Sequence, residues 1–128
     1  MNKLPTKIPK PDPQLVEYFK TVVPEDPRVT IRPMFGNISA FVNGNMFMGV
    51  YGNDLFVRLS DTQQSELLKN KGAGPFEPMP GRAMTGYIVM PRSWRGDNTS
   101  NVKKWVTTSL EFAAKLPPKK KKAATKKK

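Results

Sequence analysis

The chain has 128 residues and a formal charge of +12, with neither cysteine nor histidine. That length is one domain's worth, able to bury a core without metal or disulfide staples, and the missing residue types exclude thiolate nucleophiles, cysteine-ligated metal clusters and histidine-based acid–base chemistry. No apolar run approaches the roughly 18 residues of a membrane span and the N-terminus has no apolar signal core, so the sequence predicts a soluble, cytoplasmic protein with no membrane partner.

In chain order, the opening MNKLPTKIPKPDP has four prolines and no hydrophobic periodicity, which predicts a disordered arm over residues 1–11. Asp12 followed by Pro13 is a helix start, a side-chain oxygen for free amides and then a proline whose missing N–H costs nothing. Leu15, Tyr18, Phe19, Val22 and Val23 continue on one helical stripe until Pro24. Val29 to Phe35 reads as a strand, with Pro33 marking an edge or a bulge, and Gly36-Asn37 as a turn. In the second strand Ile38, Ala40 and Val42 alternate with Ser39 and Phe41. Asn43-Gly44 is a strong hairpin signal, because both central residues of a type I′ turn need positive φ. Met46 to Tyr51, a turn at Gly52-Asn53-Asp54, and Leu55 to Leu59 complete a four-stranded antiparallel meander.

Ser60 with Gln63 forms a capping box that opens a second helix running to about Asn70. KGAGPFEPMPG is a loop with a brief strand around Phe76, Tyr87 to Met90 is a further strand stopped by Pro91, and Asp97 or Asn98 caps the last helix. Val102, Trp105, Val106, Leu110 and Ala113 keep helical spacing there, and Pro117-Pro118 close it. The fold class is α+β, two-layer: helix, four-stranded antiparallel meander, helix, one or two strands, C-terminal helix. The domain spans residues 12–116.

The charge is unevenly placed. PPKKKKAATKKK, residues 117–128, carries seven lysines and no acid, leaving +5 for the rest of the chain. A run of like charges with too few apolar side chains to offset ordering entropy is expected to be disordered and to contact polyanions. Lys119, Lys120, Lys121, Lys122, Lys126, Lys127 and Lys128 are therefore the candidate nucleic-acid-binding residues.

A second candidate surface comes from strand alternation. If Leu55, Val57 and Leu59 face the helices, Phe56 and Arg58 point to the opposite face, with Arg32 beside them. Aromatic and arginine side chains on an open sheet face suit base stacking or a subunit interface. The plainer reading is an arginine lying over a neighbouring ring or paired with Asp54 or Glu77. Trp94, between Arg92 and Arg95 in PRSWRG, is expected to be exposed, stacking on a base or sealing the sheet's end.

Other chemistries find little purchase. The glycines at 36, 44 and 52 read as turns, since no phosphate-loop pattern leads a strand into a helix. The KGAGP segment reads as a connecting loop rather than an anion nest. Methionines at 34, 46, 48, 79, 84 and 90 read as core filler. The ten carboxylates are scattered rather than paired. The expectation is a protein that is not an enzyme, with no catalytic residues, metal or cofactor.

MFGNISAFVNGNMFMGVYGNDLFVRL, then PFEPM, then GYIVMP and a tryptophan in the last helix together resemble the TfoX N-terminal domain family. The matching positions are Met34, Phe35, Gly36, Gly44, Met46, Phe47, Leu55, Phe56, Val57, Arg58, Phe76, Tyr87, Pro91 and Trp105, and the resemblance covers about residues 15–116. It implies a two-layer α+β fold of the same element order. It also implies a regulatory rather than enzymatic role, since the family's namesakes are bacterial regulators of natural competence that act with a DNA-bound transcription activator. Those regulators carry a second, C-terminal domain where this chain has its lysines. The functional expectation is a non-catalytic TfoX-like regulatory or binding domain whose basic tail contacts nucleic acid without sequence preference, giving a cytoplasmic and nucleoid-associated protein. The alternative is a protein–protein interaction or homodimerisation module with a solubilising tail. An enzyme or small-molecule binder is the third reading.

Overall fold

The computed structural model describes residues 10–34, 37–78, 81, 83–94 and 98–117. The expected arm, apart from its last two residues, and the lysine run lie outside these, as does the turn glycine at position 36. Helix α1 (Pro13–Val22) starts where Asp12 accepts the Gln14 N–H at 3.1 Å. Strands β1 (Val29–Met34), β2 (Asn37–Val42), β3 (Asn45–Tyr51) and β4 (Asp54–Arg58) form the antiparallel meander. Between β2 and β3 both Asn43 (φ 54°) and Gly44 (φ 81°) adopt positive φ, as the hairpin signal requires.

Helix α2 (Asp61–Leu68) opens with the complete capping box, Gln63 N–H to Ser60 Oγ and Ser60 N–H to Gln63 Oε1. Two short strands follow, β5 (Gly74–Pro75) and β6 (Tyr87–Val89). The brief strand thus sits just before Phe76. After a 3₁₀ turn at Arg92–Trp94 comes α3 (Thr99–Ala114). The six-stranded sheet has the order β1-β2-β3-β4-β6-β5, all antiparallel, so β1 with its Pro33 is an edge.

All three helices pack on one face. Leu15, Phe19 and Val22 of α1, Leu67 of α2, and Val102, Val106, Leu110 and Ala113 of α3 meet Ala40, Val42, Met48, Val50, Val57 and Ile88 of the strands. Sheet alternation breaks once. Ala40 faces Met48 but Phe41 faces Met46, so Phe47 is an extra residue on β3. Phe47 and Met48, adjacent in sequence, consequently both enter the helix-side core.

A bulge leaves backbone groups without ladder partners. Ser109 of α3, fully buried in the apolar stripe, supplies them: its Oγ lies 2.6 Å from the carbonyl oxygens of both Phe47 and Arg58 and accepts the Arg58 N–H at 3.1 Å. The single hydroxyl proton serves one carbonyl at a time. The serine thus bridges β3 and β4 at the place where their pairing stops.

Candidate functional site

The second face of the sheet carries its own apolar cluster, Phe41, Met46, Phe56, Phe76 and Tyr87, flanked by Tyr51, Met84 and Val89. Its centre depends on Gly49. A Cβ there would lie 2.7 Å from the Phe56 ring and 2.5 Å from Ser39 Oγ, so only glycine lets Phe56 lie flat on the strand. Phe76 stacks on Phe56 with centroids 4.2 Å apart and planes 12° apart, while Tyr87 meets Phe56 edge-on at 5.7 Å and Tyr51 meets Phe76 edge-on at 5.4 Å.

Residues after β5 form the cover. Met84 N–H bonds to Phe76 O (2.8 Å), Phe76 N–H to Tyr87 O (3.1 Å) and the Tyr51 hydroxyl to Pro78 O (3.1 Å). This corrects the expectation for Phe56. It does point away from the helices, but it is 2% exposed and presents no stacking platform or subunit interface, because a later part of the same chain has filled that place.

Arg58 stays at the margin of the cluster, half-buried, with its guanidinium carbon 5.6 Å from the Tyr87 ring centroid. It pairs with neither Asp54 nor Glu77. Asp54 is held by Arg92, Nε to Oδ1 at 2.8 Å and Nη2 to Oδ2 at 3.3 Å. Arg32, on exposed β1, lies 4.6 Å over the Phe41 ring. The other described arginine, Arg28, is bound to Asp26 at 2.8 Å and approaches Glu111 at 3.7 Å. The carboxylate partners hold the Arg28 and Arg92 pKa values up, and Arg28 keeps the Asp26 carboxyl down at about 2. Burial pushes the Tyr87 hydroxyl above its ordinary value, against the opposing charge of Arg58. That hydroxyl donates to Met46 O at 3.0 Å.

Trp94 is less exposed than expected and takes the second of its two expected roles. It is half-buried and packs against the helix-side core, so it seals the sheet's end. Arg95 lies outside the described residues, as do Lys119, Lys120, Lys121, Lys122, Lys126, Lys127 and Lys128. The point from which the lysine run departs is nonetheless defined. Asn43 Nδ2 donates to Ala114 O (3.4 Å) and Asn45 Nδ2 to Pro117 O (3.1 Å), so the β2–β3 hairpin holds the chain immediately before the lysines. The sequence offered a weak signal for this clamp, two asparagines flanking the hairpin glycine.

An open groove of about 650 Å³ runs beside β5, lined by Asp54, Lys71, Gly74, Pro75, Arg92 and Ser93 among others. Its carboxylate is taken up by Arg92, and the Ala73 N–H is taken up by Asn70 O at 3.1 Å. Among the described residues no group of three or more carboxylates gathers at metal-binding distance, and no helix is long and apolar enough to cross a membrane.

The family model of the TfoX N-terminal domain matches residues 17–113, about three quarters of the chain, and the chain belongs to that family. No curated protein matches it. The matched span runs from within α1 to the last turn of α3 and stops short of the lysines.

Proposed function

We propose that this TfoX-type domain is a non-catalytic regulatory or binding module that contacts nucleic acid without reading its sequence, through the lysine-rich segment at 117–128. The observation that carries this reading is the segregation of charge, seven lysines and no acid in the last twelve residues. Lysines are strongly hydrated point charges that neutralise phosphates and release counterions, and they lack the forked geometry with which arginine reads guanine. No helix-turn-helix, zinc-finger or RNP-type motif supplies base readout.

A titration of duplex DNA at several salt concentrations tests it, comparing the full chain with a full-length variant in which the seven tail lysines are glutamine. Full engagement would give a slope of log K on log salt near −6 at about 0.9 per contact, and partial engagement gives about −3 to −5. Affinity at physiological salt is expected to be micromolar or weaker. The variant should lose most of the slope with little change in thermal midpoint. Retention of affinity and slope by the variant, or no binding by the natural chain at low salt, overturns the proposal.

The second reading, a pairing module, has one observation in its favour: Ile31 on edge strand β1 is 44% exposed. The edge is poorly equipped for pairing, because Val29 N–H is taken by Asp26 O at 2.9 Å and Pro33 has no N–H to offer.

A further inference from the structure

We propose that the open groove beside β5 is a binding site for a small molecule carrying a phosphate or carboxylate on an apolar body. The proposal stands on residues of the folded domain and does not depend on the nucleic-acid reading.

The first observation is a glycine that the fold does not need. Gly44, Gly52, Gly72, Gly81 and Gly86 hold positive φ, and Gly49 lies under the Phe56 ring. Among the described glycines Gly74 alone has neither reason. Its φ is not positive, and nothing stands within 4 Å of the place its Cβ would take. Glycine weakens a strand through its backbone entropy and serves where a ligand comes close to the main chain. Gly74 lines the groove.

The second observation is charge. Gly72 sits so close to Pro91 that an added Cβ would lie 3.1 Å from the proline Cβ, and this contact brings the turn bearing Lys71 to the same groove as Arg92. Arg92 holds Asp54 through Nε and Nη2, which leaves its Nη1 amine as a donor. No carboxylate among the described residues pairs with Lys71. The groove therefore offers two cations against one carboxylate that is already engaged, beside the apolar surfaces of Pro75, Val89 and Pro91. That combination suits an oxyanion on an apolar body.

Size and edge chemistry select a small molecule over a peptide. A volume of about 650 Å³ falls within the roughly 300–1,000 Å³ of small-molecule sites. An added strand would find little to pair with. β5 is two residues long, Pro75 has no N–H, and the Phe76 N–H is turned inward to Tyr87 O at 3.1 Å.

The test is an NMR titration of the ¹⁵N-labelled full chain at constant ionic strength with phenyl phosphate, benzoate and the uncharged benzyl alcohol. The amides of Gly72, Ala73 and Gly74 and the Arg92 Nε–H should shift saturably with at least one anion, at a millimolar dissociation constant. Binding of phenyl phosphate alone identifies a phosphate ligand, and of benzoate alone a carboxylate. Gly74→Val should leave the thermal midpoint nearly unchanged, since its side chain enters open space, and should weaken binding about tenfold or more. Lys71→Gln should weaken it about three- to fivefold, the range of one exposed charge contact. If the valine disturbs the fold, Lys71→Gln carries the test alone. No saturable shift at these residues with either anion, equal binding of benzyl alcohol, or unchanged affinity in the folded variants overturns the proposal.

Discussion

The hydroxyl of Ser109 sits 2.6 Å from the Phe47 carbonyl, tying the middle of α3 to the bulged residue of β3. The same oxygen serves Arg58 at the end of β4, whose guanidinium lies over the Tyr87 ring. A helix therefore finishes what the strands leave unpaired. Ser109→Ala removes the donor and strands buried backbone groups, at a cost of about 1–3 kcal/mol. Urea unfolding followed by circular dichroism measures this. A change within error of zero would show that water replaces the hydroxyl.

Gly49 lies under the Phe56 ring, and the clash of a new Cβ falls on that ring and on Ser39. Gly49→Ala should destabilise by about 1–3 kcal/mol, the usual range for overpacking. Gly74 has open space where its Cβ would be, so Gly74→Ala should be close to neutral. Equal midpoints for the two variants would contradict the packing described.

Phe56→Glu should unfold the protein, not dissociate an assembly. The ring is enclosed by Phe76, Tyr87 and Gly49, and an uncompensated buried carboxylate costs about 3–5 kcal/mol. Thermal melting with sedimentation separates the outcomes. A well-folded Phe56→Glu chain sedimenting as a smaller species would restore the subunit-interface reading.

Tyr87 links stability to alkaline pH. Burial raises its folded pKa above the ordinary value of about 10. The folded state then holds the proton more tightly than the unfolded state, so the stability from neutral Tyr87 is full below about pH 10 and is lost as pH rises through the higher folded value. Urea midpoints across that window should fall more steeply for the natural chain than for Tyr87→Phe. At neutral pH the same substitution should cost about 1–3 kcal/mol, because Met46 O loses its donor. Parallel alkaline profiles would show that Tyr87 titrates as it does in the unfolded chain.

Element order, the hairpin at Asn43-Gly44, the capping box at Ser60 and the helix-facing alternation of Leu55, Val57 and Leu59 were all legible in the local sequence. Each follows from chemistry within a few residues: positive φ, a side-chain oxygen over free amides, a period of two. Alternation also assigned Phe56 and Arg58 to the second face correctly. What covers that face is a matter of tertiary structure, because Phe76 and Met84 return over Phe56 from beyond α2 and local rules do not specify that path. The same holds for the arginines. Whether Arg58 meets a carboxylate or a ring depends on the β4–β6 register that places Tyr87 opposite it, and on Arg92 having already taken Asp54. The Phe47 bulge was hidden in a run of apolar residues. Its one trace was a serine at position 109 of an otherwise apolar stripe, a polar group whose partner only the packed sheet could supply.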